Sequence, residues 1–91
     1  MIVRYDPDFL RKLKKQDVLI RKRFKTRIEL FAEDPNSAQL NNHSLREEWQ
    51  GYRSIDRTSD YRAIYTEKDE TGSMVAYFER LEPMNNSTDN T

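Results

Sequence analysis

Pro35 divides this chain into two halves whose apolar residues repeat with different periods, and few folds accommodate both. Before it, Ile20, Phe24, Ile28 and Phe31 recur at spacings of four, four and three, the signature of one buried helix face. Arg21, Lys22, Arg23, Lys25 and Arg27 fill the positions around that stripe. The helix must stop near "EDPNS", because a proline drives the residue before it out of helical geometry. Upstream, Asp6 can cap a helix with Pro7 in its first position, where a missing N–H costs nothing. Phe9, Leu10 and Leu13 then make one apolar stripe, and "MIVRY" before the cap alternates as a short strand does. The two helices read as an antiparallel hairpin with a basic outer surface.

After Pro35 the period falls to two. Residues 35–48 read as a loop with at most one short helical turn, held to the core by Leu40 and Leu45. Three β-type runs follow, at 49–57, 60–67 and 74–81, joined by "RTSD" and by "KDETGS" with its Gly72. Runs joined so closely form an antiparallel meander. The order is β-α-α-β-β-β, an α+β domain with an N-terminal helical hairpin packed on one face of a small antiparallel sheet. One domain occupies residues 1–83, and the small polar tail 84–91, "MNNSTDNT", is expected to be disordered. Arg53, Ile55 and Arg57 share one strand face, while Tyr61, Ala63 and Tyr65 share another. The face away from the helices is the one to search for function, and Trp49 is expected to pack into the core.

Composition narrows the possibilities. The 91 residues include no cysteine and a single histidine, His43, which leaves neither disulfides nor a transition-metal site. No segment has the apolar length of a signal peptide or a membrane span, so a cytoplasmic protein is expected, without membrane partners. The zero net charge hides an asymmetry. Residues 1–31 hold ten Lys/Arg against four Asp/Glu, and the remainder holds six against twelve. A polyanion partner and a solvated lysine face both account for such a basic half.

The segments "DP....L..H.L", "W.GYRSI....DYRAIY" and "VAYFER" resemble the RelE/ParE superfamily of bacterial toxins, with the YafQ-like mRNA interferases as the nearest branch. The most specific pieces are "NNHSL", "WQGYRS" and "DYRAIY", in the expected order, and the resemblance spans about residues 2–81. It implies a microbial-RNase-like fold and cleavage of mRNA in the ribosomal A site, with no cofactor. In that chemistry a ribose 2′-hydroxyl attacks its own phosphodiester while a base, an acid and cations assist. The implied partners are a cognate antitoxin, mRNA, ribosomal RNA and, through the antitoxin, operator DNA.

Carried over residue by residue, the resemblance makes His43 an active-site histidine and Arg62 the arginine before the family's "VY" or "IY" pair. Asp60 matches the aspartate of a "PDW" segment that reads "SDY" here, so Tyr61 replaces a tryptophan able to stack on a base. Arg53 stands at a commonly basic position, and Arg80 follows the last strand in the "FER" context. Two departures stand out. Asp56 replaces a histidine, and Glu82, Pro83 and Met84 replace the "GTH" segment whose histidine donates a proton. Glu82, Asp60 or His43 would have to take over that duty.

Alternatives stay open for each candidate. The fork of Arg53 or Arg62 fits a phosphate as well as a carboxylate. Asp60 serves as a general base or caps its own turn, and either Tyr61 or Tyr65 could stack on a nucleobase. Lys12, Lys14, Lys15, Arg21, Lys22, Arg23 and Lys25 either touch RNA backbone without reading sequence or form a solvated surface. A non-cleaving antitoxin-binding co-repressor and a ParE-like inhibitor of DNA gyrase remain the competing functions.

Overall fold

The structure is a computed structural model and describes residues 1–55 and 61–83. Strand β1, Ile2–Tyr5, leads into helices α1, Pro7–Lys14, and α2, Val18–Glu33. Strands β2, His43–Ser44, and β3, Arg53–Ile55, come next, followed by the long hairpin of β4, Tyr61–Glu70, and β5, Ser73–Pro83. Short 3-10 turns occupy Ala38–Leu40 and Glu47–Trp49.

The local chemistry explains the helix ends. Asp6 Oδ1 accepts from the Asp8 N–H at 2.8 Å, with Pro7 in the first turn as its fixed φ favours. Asp17 caps α2 in the same way, accepting from the Ile20 N–H at 3.0 Å. Helix α2 stops at Glu33, two residues ahead of Pro35.

The five strands lie in the order β1-β5-β4-β3-β2. The β3-β4-β5 meander is antiparallel, as its short connections require, while β1 runs parallel to β5 from Ile2 opposite Val75 to Tyr5 opposite Phe78. The sheet is therefore mixed. The helical hairpin gives the chain enough length for this parallel placement, which a tight turn could not reach. The β4–β5 turn is only Thr71–Gly72, both at positive φ (50° and 85°), which matches the twist of the two strands. The strands consequently extend beyond the expected 60–67 and 74–81. A bulge places Arg80 opposite Ile64 but Phe78 opposite Tyr65, leaving Glu79 as the extra residue.

The first meander strand is shorter than its sequence suggests. Glu47 and Gly51 both adopt positive φ (57° and 95°), and the Leu45 N–H bonds the Tyr52 carbonyl at 2.9 Å. Residues 45–52 thus fold back on themselves instead of pairing. Ahead of them, His43–Ser44 forms a two-residue strand within the expected loop. The "RTSD" turn, the candidate Asp60 and the tail 84–91 lie outside the described residues.

Between helices and sheet sits an aromatic core. Phe31, Tyr65 and Phe78 meet with ring centroids 5.0–5.4 Å apart, and Phe9 and Phe24 extend the cluster. Ile55, Ala63, Ala76, Leu40 and Leu81 complete it. Three expectations need correction. Leu10 is exposed because Phe9 takes the inward position of α1. Tyr65, proposed above as a stacking platform, is fully buried against Phe31. Leu45 is buried, but apart from this core cluster.

Candidate functional site

Residues directly opposite in an antiparallel ladder share a face, so pairing assigns every candidate. Ala63 and Tyr65 face the helices. Ile64 therefore faces away, and its partners Ser54 on β3 and Arg80 on β5 go with it, as does His43 opposite Ser54. His43, Ser54, Ile64 and Arg80 form one row across the second face. Arg62 and Glu82, opposite each other, form the next row.

That row is wide. Three interstrand spacings separate His43 from Arg80, roughly 14 Å between backbones. Between them the face is closed: Ser54, Ile64 and Arg62 are buried, the last only 5% exposed. The 45–52 segment reaches this face through Trp49. Trp49 stacks edge-on against Tyr52, and the Arg80 guanidinium lies 5.0 Å from the Trp49 ring centre. Trp49 is thus only half-buried and packs on the second face, not in the core, because Gly51 and Glu47 turn its segment that way. Nε and Nη2 of Arg80 both lie 3.0 Å from Oε2 of Glu82, which puts a carboxylate beside the cation.

His43 is held in one tautomeric sense. Its Nδ1 lies 2.8 Å from the Asn41 carbonyl oxygen, which can only accept, so Nδ1 carries the proton. In the neutral ring the lone pair is then on Nε2, the nitrogen a general base would use.

Arg53 belongs to the other face. It pairs with Tyr65, and its Nε donates to Asn42 Oδ1 at 3.0 Å. The Tyr65 hydroxyl lies 2.8 Å from Asn42 Nδ2 and 3.1 Å from Oδ1. Burial raises the pKa of Tyr65, and the hydrogen bonds from Asn42 and Arg53 offset part of that rise. Of the strand arginines proposed for the site, Arg62 and Arg80 lie on the face away from the helices, Arg62 buried within it, and Arg53 does not. The physical reason is strand parity, since Arg53 shares its side with the core residue Ile55.

The helix cations divide as well. Lys12 lines a cleft of about 230 Å³ with Asp8, Glu79 and Arg80, beyond the end of β1. Lys15, Arg21, Lys22 and Lys25 are exposed on the helical side, with Arg21 Nε donating to the Gln16 carbonyl at 3.1 Å. Tyr61 also lies on that side, lining an apolar groove with Leu13, Phe24 and Leu81. Asn42 had no place among the sequence candidates, and no periodic signal marks it; its four-way bonding appears only once β3 and β4 are paired. Among the described residues, no three His, Cys, Asp or Glu side chains gather as metal ligands, and no helix is long and apolar enough to cross a membrane.

Residues 3–77 match the family model described as the ParE toxin of the type II toxin–antitoxin system parDE. The chain belongs to the ParE toxin family. The matching model describes toxins of type II toxin–antitoxin systems, and this chain is one of them. Among solved structures it resembles YafQ from Escherichia coli, at 25% identity over 92% of this chain and 93% of that one, with a TM-score of 0.65. It is similar to the RelBE2 toxin–antitoxin complex of Mycobacterium tuberculosis at 26% identity, covering 90% and 95% of the two chains, TM-score 0.60. The YoeB/ParE toxin from Agrobacterium tumefaciens shares the fold at 13% identity, covering 91% and 98%, TM-score 0.72. No curated protein sequence matches it. These likenesses support the RelE/ParE superfamily and the YafQ-like kinship read from "NNHSL" and "DYRAIY".

Proposed function

We propose that this toxin is a ribosome-dependent, metal-free endoribonuclease that cuts mRNA in the A site and so stops translation in the cytoplasm. The observation that carries the reading is the shared row of His43 and Arg80, a proton acceptor and a cation on one sheet face. His43 Nε2 takes the proton of a ribose 2′-hydroxyl, whose oxygen attacks the adjacent phosphorus. Arg80, the exposed cation of that face, stabilises the charge that builds on the phosphorane. The P–O5′ bond then breaks as the departing oxygen takes a proton, which Glu82, Asp60 or the protonated His43 supplies in place of a second histidine. Trp49 beside Arg80 offers a ring for an unstacked base. Lys15, Lys22 and Lys25 engage ribosomal RNA through its phosphates.

Primer extension on a translated mRNA in a reconstituted bacterial system tests this reading. New 5′ ends that require both ribosome and toxin are expected, and intact mRNA would overturn it. A second reading, inhibition of DNA gyrase, is favoured by the ParE description of the matching family model. A supercoiling assay separates the two: the endoribonuclease reading expects gyrase to stay active.

A further inference from the structure

Asn42 is the point where the helix side of the sheet reaches the candidate histidine. Its amide has two donors and two acceptor positions, and all are engaged. Nδ2 donates to the Pro35 carbonyl at 2.9 Å and to the Tyr65 hydroxyl at 2.8 Å. Oδ1 accepts from Arg53 Nε at 3.0 Å and from the Tyr65 hydroxyl at 3.1 Å. Tyr65 is itself fixed in the core, so these bonds have a rigid origin.

The residue on either side of Asn42 gives this clamp its consequence. Asn41 sits in the left-handed region at φ 49°, a conformation asparagine tolerates better than most residues. Its carbonyl accepts from His43 Nδ1, and that carbonyl belongs to the rigid peptide plane ending at the Asn42 nitrogen. Holding Asn42 therefore sets the direction of the oxygen that the imidazole must meet. We infer that Asn42 is a positioning residue for His43, with Tyr65 and Arg53 as its support. It keeps the neutral imidazole in the Nδ1–H tautomer and leaves the Nε2 lone pair to receive a proton. The role of Nε2 rests on the endoribonuclease reading; the tautomer does not.

The test uses the full chain labelled with ¹⁵N-histidine, which reports one ring because His43 is the only histidine. Long-range ¹H–¹⁵N spectra under mildly alkaline conditions, where imidazoles are neutral, show which nitrogen carries the proton. The wild type is expected to give one Nδ1–H pattern. In Asn42→Ala the two nitrogen shifts should move toward each other as the tautomers mix. Tyr65→Phe, which keeps the Pro35 and Arg53 bonds, should move them part of the way and covers the case in which Asn42→Ala fails to fold. Asn42→Asp, which keeps both acceptor bonds, should restore much of the wild-type pattern. Unmoved nitrogen shifts in a folded Asn42→Ala or in Tyr65→Phe would overturn the inference, as would a tautomer mixture in the wild type. A toxin that cleaves mRNA with the tautomer unmoved defeats this inference alone. A locked tautomer in a chain that leaves mRNA intact defeats the endoribonuclease reading alone.

Discussion

The two faces of the central sheet receive the same kinds of residue and use them differently. On the helix side, Tyr65, Arg53 and Asn42 form a network that engages both donors and both acceptor positions of the Asn42 amide beside an aromatic core. On the other side, Arg80 is half-exposed, pairs with the Glu82 carboxylate and lies over Trp49 of the 45–52 segment. A burial-rich face with satisfied partners contributes stability. A face with a half-exposed cation retains capacity for a ligand. An arginine's identity therefore does not decide its role in this fold; the parity of its strand position does.

Substitutions that belong to one face alone sharpen this contrast. Phe78→Ala, at the centre of the helix-side core, should cost about 3–5 kcal/mol in urea unfolding. A loss below about 1 kcal/mol would mean that the aromatic cluster is not the main source of stability. Arg80→Ala should lower ribosome-dependent cleavage by roughly a hundred- to a thousandfold while changing the urea midpoint little, since its ion pair is exposed and worth about 0–1 kcal/mol. Equal loss of stability and activity would erase the distinction between the faces.

Tyr65→Phe should cost about 1–2 kcal/mol, because Asn42 loses one of its two bonds at each end of the amide. The same residue predicts a pH dependence. Burial raises its folded-state pKa, so its contribution is complete below the ordinary tyrosine value of about 10 and is lost as pH rises through the folded value. Stability measured from neutral pH upward should fall in the alkaline range, and Tyr65→Phe should flatten that fall; Tyr5, shifted the same way by burial, contributes to it as well. The smallest effect belongs to the helix cations. Each of Lys15→Ala, Lys22→Ala and Lys25→Ala should reduce the slope of log affinity for the ribosome against log salt by about 0.7–1. An unchanged slope would make these lysines a solvated surface.

Much of the fold was legible before any strand was paired. The spacing of Ile20, Phe24, Ile28 and Phe31 marks α2, Asp6-Pro7 marks the start of α1, and Gly72 marks the last turn. The assignment of faces was harder to read. A two-residue strand such as His43–Ser44 carries no period, and the positive φ values of Glu47 and Gly51 redirect a segment that alternates like a strand. The bulge at Glu79 shifts the alternation of β5 by one residue and sets Arg80 on the second face. Asn42 was invisible for a different reason: its value lies in bonds to Pro35, Arg53 and Tyr65, residues whose proximity only the folded sheet creates.

The assignment of RNA handling to the second face is tested most directly by NMR titration with a short RNA carrying a 2′-deoxy substitution at the scissile position, which can bind without being cut. The Trp49 indole N–H, the His43 ring and the Arg80 guanidinium should shift together, while the Arg53 guanidinium and the Tyr65 ring stay in place. Shifts confined to Arg53 and Tyr65, or to the helix lysines alone, would contradict the account.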